Sequence, residues 1–227
     1  MKLLVINGSP KLGENNTEIL LESFIEGFNL NKNNDVERVR MNTEETYKKA
    51  AEYFQGADNI LIGFPLYSYS MPAGVKLFIE ELEPLIGKCQ DKKIGFLVQY
   101  GFVEAVHARP LEGYLKYITE KLSAKYIGTI IRGGCDGLTK NADKPRNKNE
   151  IKFLEGAKEI GKYFGENGHF DKEQLKKYSE PETEKKHNIF ILKILVKLLN
   201  KIYWQKQLKK NGISLKESFA KPLSDEN

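Results

Sequence analysis

Apolar and polar positions repeat in one pattern over the first 165 residues or so. Short runs of strand length recur, and each is followed by a stretch in which apolar residues return every three or four positions. Runs of this kind are typical of β-strands, and the three-to-four spacing is typical of amphipathic helices. The predicted strands are 2–7, 35–40, 59–63, 93–98 and 126–132. The predicted helices are 17–28, 44–54, 74–86, 110–122 and 149–164.

Strict alternation of strand and helix predicts an α/β fold with a parallel sheet covered by helices on both faces. Ligands of such sheets bind outside the carboxyl ends of the strands. The loops after the first, third, fourth and fifth strands are rich in Gly, Ser, Pro, Asn or aromatic residues, and they span 8–16, 64–73, 99–107 and 133–143. Since ordinary connectors are shorter and plainer, we expect a binding site at this edge.

The first of these loops, residues 8–16, has the chemistry of an anion site. It leads into the N-terminus of a predicted helix, where backbone N–H groups and the helix dipole favour a phosphate. Ser9 and Thr17 add hydroxyl donors, and Asn15 and Asn16 add amide donors. The alternative is an ordinary connection in which Thr17 is only the helix N-cap.

Two common nucleotide motifs do not fit this loop. Gly8 and Gly13 have the spacing of the glycines in a nucleoside triphosphate loop, but Glu14 and Asn15 stand where that motif needs Lys and Ser or Thr. A Gly-x-Gly-x-x-Gly sequence follows none of the predicted strands. The sequence therefore argues against an NTPase and against a Rossmann dinucleotide site.

The second loop combines stiff backbone with flat side chains. Pro65 and Pro72 restrict the backbone, and Tyr67, Tyr69 and Met71 offer aromatic and thioether surface. One reading is that these residues pack over the next helix. The other, favoured by the neighbouring phosphate loop, is an apolar wall for a planar ring carried on a phosphorylated chain.

With these loops the sequence resembles the flavodoxin-like NAD(P)H-dependent FMN reductases and quinone reductases over residues 1–165. The motifs that carry the resemblance are 8–17, 65–72 with Lys76 and Phe78, 101–105, and 133–134. The resemblance implies a flavodoxin-like three-layer sandwich whose five parallel strands are ordered 2-1-3-4-5. It also implies FMN lying across the carboxyl edge of the sheet.

The resemblance assigns cofactor-binding positions. It implies that the phosphate is held by Ser9, Asn16 and Thr17, with Lys11 where many members have Arg. It implies that the ring is lined by Pro65, Leu66, Tyr67 and Ser68 on one side, and by Gln99, Tyr100 and Gly101 on the other. Met71 is added to the cofactor-binding residues for its thioether surface. The last loop adds Gly133 and Gly134.

The function implied is an FMN-dependent NAD(P)H oxidoreductase that passes a hydride through FMN to a quinone, nitro, azo or free-flavin acceptor. His107 and Tyr100 are candidate proton donors, and no metal is expected. Arg109 is read as a nicotinamide-phosphate contact or as a solvated surface charge. The alternatives are a flavodoxin-type electron carrier, which is usually acidic, and a flavin-free regulatory or scaffold protein.

The charge is concentrated near the end of the chain. Residues 168–227 contain 13 Lys and 8 acidic residues, so the whole net charge of +5 resides there. We therefore expect a flavin-binding domain at 1–167 and a C-terminal extension at 168–227, with a basic amphipathic helix at about 188–210. Its apolar sector is wide enough for a homodimer contact, and contact with a membrane surface is the alternative. Nucleic-acid binding is not expected.

The two cysteines, Cys89 and Cys135, lack metal-ligand or redox spacing. The N-terminus enters a strand at once, and no apolar run reaches membrane-spanning length. These features lead us to expect a reduced, cytoplasmic protein.

Overall fold

The computed structural model describes residues 1–139, 145–183 and 196–219. Five strands form one parallel sheet in the order 2-1-3-4-5, so the predicted strand order is confirmed. The strands are β1 (Lys2–Asn7), β2 (Asp35–Arg40), β3 (Asn59–Pro65), β4 (Lys93–Gln99) and β5 (Lys125–Arg132). The three central strands are buried almost throughout. Their continuous apolar runs fit a sheet that is covered on both faces.

Six helices accompany the sheet in the part of the chain up to residue 183 that is described. They are α1 (Asn16–Phe28), α2 (Glu44–Gly56), α3 (Ala73–Glu81), α4 (Arg109–Lys121), α5 (Lys148–Asn167) and α6 (Lys172–Ser179). The helix predicted at 74–86 ends at Glu81 and continues as a 3-10 turn over Glu83–Leu85. Pro84 accounts for the break because it cannot donate the hydrogen bond that an α-helix requires there.

The helices bury one apolar cluster on each face of the sheet. On one face α1 and α5 pack through Phe24, Phe28 and Phe164. A Cβ on Gly161 would lie 1.9 Å from the Phe24 carbonyl oxygen. Only glycine at this position therefore lets α1 and α5 approach each other so closely. On the other face α2, α3 and α4 pack through side chains such as Phe54. The three-layer sandwich is thus built from two separate cores.

Helix α6 was not predicted, and it belongs to the compact body. Phe170, just before it, packs 5.1 Å from Phe164, and Tyr178 at its end donates a hydrogen bond to the Phe153 carbonyl oxygen (2.9 Å). The first compact unit therefore runs from Met1 to Glu184, later than the boundary expected at 167.

The second unit comprises Lys185–Asn227. Residues 196–199 are helical, Asn200–Trp204 form a π-helical turn, and helix α7 (Gln205–Lys210) follows. The helix predicted at 188–210 is thus present from 196, and its first part lies outside the described residues. Ile202, Tyr203 and Trp204 are exposed. Among the described helices, none has both the length and the apolar character needed to cross a membrane.

Candidate functional site

A cavity of about 340 Å³ opens at the carboxyl edge of the sheet, where the loops after β1, β3, β4 and β5 meet. It is lined by Ser9, Lys11, Asn15, Asn16, Pro65, Leu66, Tyr67, Gln99, Tyr100, Gly101, Asp136 and Thr139. A second cavity of about 420 Å³ adjoins it and shares part of its wall. Its lining residues are Leu66, Ser68, Tyr69, Tyr100, Gly101, Phe102, His107 and Asp136. The four loops singled out in the sequence thus converge.

The loop after β1 starts with a tight turn. The Gly8 N–H donates to the Gly63 carbonyl oxygen (2.7 Å), and the Ser9 N–H donates to Asn7 Oδ1 (2.9 Å). A Cβ on Gly8 would lie 2.4 Å from Cγ2 of Val75, so only glycine fits. These contacts place Ser9 at the base of the first cavity.

Helix α1 directs its N-terminus into the same cavity. Its N-cap is Asn15, whose side chain accepts a hydrogen bond from the Glu18 N–H (2.9 Å). The alternative in which Thr17 caps the helix is therefore wrong; Thr17 is fully buried in the first turn. No described residue accepts a hydrogen bond from the backbone N–H groups of residues 11–17. This segment therefore holds a set of unpaired donors at the positive end of a helix, which suits an anion.

Arg40, at the end of β2, holds the first loop in shape. Its Nη2 donates to the carbonyl oxygens of Lys11 (2.6 Å) and Gly13 (2.7 Å). By binding carbonyl groups it leaves the N–H groups of the loop free to face a ligand. Sequence reasoning missed this residue, although the expected 2-1 strand order already places the end of β2 beside the end of β1, and the structure pairs Arg40 with Asn7.

The loop after β3 contains a strained tight turn. Tyr67 and Ser70 exchange two backbone hydrogen bonds of 2.8 and 2.9 Å. The central residues Ser68 and Tyr69 have φ values of +48° and +63°, which is the pattern of a type I′ turn. Residues other than glycine rarely adopt this conformation, and such strain concentrates at functional sites. The turn brings Tyr67 to the first cavity, and Ser68 and Tyr69 to the second.

Met71 lines neither cavity. Its side chain is buried in the core cluster of α2, α3 and α4. The Leu66 N–H, in contrast, donates to the Gln99 carbonyl oxygen (2.9 Å), so the ends of β3 and β4 present Pro65 and Leu66 side by side with Gln99. For Met71 the structure supports the alternative that part of this loop packs over the following helix.

The loop after β4 supplies polar groups that are already paired. The Gln99 side-chain amide donates to Thr17 Oγ1 (3.1 Å), and the Tyr100 hydroxyl donates to the Glu104 carbonyl oxygen (2.9 Å). Burial raises the pKa of Tyr100 to about 12. Its proton is thus held strongly and is directed at the backbone, which makes Tyr100 a poor proton donor to a ligand.

His107 lies among aromatic rings in the second cavity. Its ring centroid is 4.9 Å from Phe102, 5.6 Å from Tyr69 and 6.4 Å from Tyr100. Its Nε2 is 3.5 Å from a carboxylate oxygen of Glu104. The second cavity is therefore aromatic on one side, and it contains a single imidazole among its lining residues.

The loop after β5 acts in two ways. Gly133 and Gly134 line neither cavity. The Gly134 N–H donates to the Phe102 carbonyl oxygen (2.7 Å), and a Cβ on Gly133 would lie 2.3 Å from that same oxygen. They permit close contact with the preceding loop. Asp136 lines both cavities and Thr139 the first, and sequence reasoning missed both. The Thr139 N–H donates to Asn16 Oδ1 (3.1 Å). Residues 140–143 of the expected loop lie outside the described residues.

The structure thus brings most of the predicted cofactor residues together. Those lining the first cavity are Ser9, Lys11, Asn16, Pro65, Leu66, Tyr67, Gln99, Tyr100 and Gly101. Thr17 lines neither cavity, but its hydroxyl oxygen accepts a hydrogen bond from the side chain of Gln99, which lines the first. Ser68 lines the second cavity. The lining residues include one cation, Lys11, in the first cavity and one carboxylate, Asp136, in both cavities.

Comparison with known proteins supplies a family. The model of a family described as "Flavodoxin-like fold" matches residues 1–153, which is more than half of the chain. No curated protein matches the chain.

Several solved structures share the fold at low identity. An azoreductase from Bacillus anthracis str. Sterne has a TM-score of 0.54 and 19% identity, over 72% of this chain and 99% of its own. An NADPH-quinone reductase from P. pentosaceus has a TM-score of 0.54 and 18% identity, over 71% and 98%. An FMN-dependent NADH-azoreductase from B. anthracis str. Ames Ancestor, in complex with FMN, has a TM-score of 0.52 and 14% identity, over 73% and 98%.

Proposed function

The chain belongs to this flavodoxin-like family, and from that premise we propose that it is an FMN-dependent NAD(P)H oxidoreductase. Its acceptor is a planar aromatic compound such as a quinone, a nitro or azo compound, or free flavin. Solved structures with the same fold include azoreductases and a quinone reductase, which supports this class of reaction.

The observation that carries the proposal is the pairing of an anion cradle with a ring-sized cleft. The unpaired N–H groups of residues 11–17 and the Lys11 ammonium match the charge of one phosphate. The cleft between Pro65–Tyr67 and Gln99–Gly101 adjoins the cradle in one cavity. A cradle without the Lys and Ser or Thr of a triphosphate loop fits a monophosphate, and FMN joins one phosphate to one flat ring. The residues present therefore fit the cofactor.

Bound FMN would supply the two-electron chemistry that links a nicotinamide to an aromatic acceptor. The chain's own residues bind and orient. Lys11 and the loop amides hold the phosphate, and the Arg40 guanidinium keeps the loop carbonyl groups turned away from it. The main chain at Leu66 is fixed by its hydrogen bond to Gln99, so that this wall of the cleft is rigid before a ligand arrives.

The aromatic cavity suits the second substrate. Tyr69, Phe102 and His107 surround space that is continuous in its lining with the ring cleft, through Leu66 and Tyr100. Aromatic side chains favour stacked or edge-on contact with another ring. His107 is the side chain best placed to give a proton to a reduced acceptor, because the Tyr100 hydroxyl is already committed to the backbone.

Comparing FMN with riboflavin, which lacks the phosphate, tests the proposal. We expect the purified protein to bind FMN at least tenfold more tightly in a fluorescence titration, because phosphate contacts to charged and amide donors contribute about 1.5–3 kcal/mol each. Replacing Lys11 with Ala should narrow the difference. The control is Lys48→Ala, since Lys48 pairs with Glu44 on α2 and neither residue lines a cavity. Equal affinity for the two flavins would contradict the phosphate assignment.

A further inference from the structure

Residues 178–182, called the strap here, run along the loop that follows β4. The Ala105 N–H donates to the Pro181 carbonyl oxygen (2.9 Å), and the Val106 N–H donates to the Glu182 carbonyl oxygen (2.9 Å). These backbone bonds fall within the 3-10 turn Ala105–His107. The strap thus binds the residues that directly precede His107.

The strap is itself fixed to the end of β5. Arg132 is 7% exposed, and its guanidinium donates to the carbonyl oxygens of Tyr178 (2.5 Å) and Glu180 (3.0 Å). The same guanidinium lies over the Phe153 ring at 4.3 Å. A buried arginine whose donors are used on backbone carbonyl groups holds a segment in one place, because any other position would leave its buried donors without hydrogen-bond partners.

Arg109 joins the strap to the other end of the loop. Its Nε and Nη2 donate to the two carboxylate oxygens of Glu182 (2.9 and 2.7 Å), and Nη2 also reaches Ser179 Oγ (3.2 Å). Its Nη1 donates to Glu112 (2.7 Å) on its own helix. The guanidinium lowers the pKa of the Glu182 carboxyl group, so the pair is charged at neutral pH. A guanidinium occupied in this way does not fit the reading of Arg109 as a nicotinamide-phosphate contact, and its side chain, 33% exposed, is closer to the alternative of a surface charge.

The loop enclosed by these contacts carries one wall of the aromatic cavity. Phe102 is held from one side through its carbonyl group by Gly134, and the turn before His107 is held from the other side by the strap. Two separate anchors, Gly134 and the strap, therefore hold the backbone that carries Phe102 and His107, whose ring centroids are 4.9 Å apart. The strap lies in the part of the chain that sequence reasoning assigned to the C-terminal extension.

We propose that the strap positions His107 and Phe102 for the second substrate, and that Arg109 and Glu182 are positioning residues for that cavity. This inference rests on the proposed function, since it concerns the substrate that occupies the aromatic cavity. The flavin phosphate is held by other loops. Loosening the strap should therefore alter affinity for the acceptor and leave affinity for FMN unchanged.

The test is Glu182→Gln, with Glu182→Ala as the stronger change and Glu112→Gln as the matched control. Both Gln variants remove one carboxylate partner of Arg109, but only Glu182 belongs to the strap. We expect KM for a naphthoquinone probe to rise about two- to fivefold in Glu182→Gln, the range for a partly exposed ion pair, with the Kd for FMN unchanged. Glu182→Asp should recover part of the loss, and Glu112→Gln should leave KM as in the wild type.

Amide hydrogen exchange provides a readout that does not depend on turnover. Exchange at Ala105 and Val106 should be faster in both Glu182→Gln and Glu182→Ala, and unchanged in Glu112→Gln. Unchanged exchange in the Glu182 variants, or faster exchange with unchanged KM, would overturn the proposal. A parallel loss of FMN affinity would also overturn it by showing a general structural role. A wild type without flavin-dependent turnover would instead refute the proposed function, a distinct result because it is seen before any substitution.

Discussion

Replacing Arg40 with Ala tests how the first loop is organised. In the wild type one guanidinium nitrogen binds the carbonyl oxygens of Lys11 (2.6 Å) and Gly13 (2.7 Å). Without it the loop is free to turn these carbonyl groups toward the ligand, where they would repel a phosphate. We expect the fold to persist, since Arg40 is half-buried at the end of an edge strand. The effect should be seen in flavin affinity.

The size of the effect follows from the exposure of the contact. Hydrogen bonds to charged groups contribute about 1.5–3 kcal/mol each, whereas exposed ion pairs contribute about 0.2–1 kcal/mol. Arg40 lies between these limits, so the two bonds together should contribute about 1–2 kcal/mol to loop order. At about 1.4 kcal/mol per factor of ten, the Kd for FMN should rise about 5- to 30-fold.

A fluorescence titration with FMN measures this change, and Arg38→Ala is the matched control. Arg38 lies on the same strand, but its guanidinium binds Glu18 and Glu22 on α1 instead of the loop. We expect its loss to leave the Kd for FMN within about twofold, since exposed pairs contribute little. An unchanged Kd in Arg40→Ala, or an equal rise in both variants, would refute the reasoning.

Three further predictions concern the fold and the assembly. Gly8→Ala should destabilise the protein by about 1–3 kcal/mol through overpacking. Gly113→Ala is the control and should not destabilise it, because a Cβ there meets no atom within 4 Å. Chemical denaturation measures the stability of both variants. Burial raises the pKa of Cys135 and of Tyr100 to about 12 from ordinary values of 9.0 and 10.0. The contribution of these raised pKa values to the stability of the folded state is complete below pH 9 and is lost as pH rises toward 12. The denaturation midpoint should therefore fall over that range, and a constant midpoint would be contrary evidence. The homodimer expected through the C-terminal helix is checked by light scattering, where a single-chain mass would contradict it, and flotation with anionic vesicles checks the membrane alternative.

The order of the sheet could be predicted because its signals are local. Each strand is a short apolar or alternating run, and each crossover contains a helix, so few topologies remain. Residues of the first cavity could be predicted for the same reason, since Pro65 and Gln99 each end a strand and Ser9 lies two residues after one. A parallel sheet then brings these positions to one edge without further information.

Helix α6 was missed because its signal is tertiary. Its sequence is polar, and the apolar side chains that bury it, Leu175 and Tyr178, fit into spaces left by glycines elsewhere. A Cβ on Gly128 would lie 2.8 Å from Leu175, and one on Gly156 would lie 2.5 Å from Tyr178. No periodicity in the helix itself reports such distant partners. The strap contacts were out of reach for the same reason.

The missed site residues show the same limit. Asp136 and Thr139 lie in a loop that was correctly placed at the site, but which of its side chains face the cavity depends on the path of a backbone held by Tyr100 and Asn16. Met71 was assigned to the wall by its chemistry alone, and the tight turn before it directs it into the core.

Anaerobic mixing of the FMN-loaded protein with NADH and with NADPH tests the central claim most directly. The visible spectrum of oxidised flavin should bleach with at least one of the two nicotinamides, and it should return when a quinone is added. A protein that remains colourless after incubation with FMN, or a bound flavin that neither nicotinamide bleaches, would contradict the assignment as a flavin reductase.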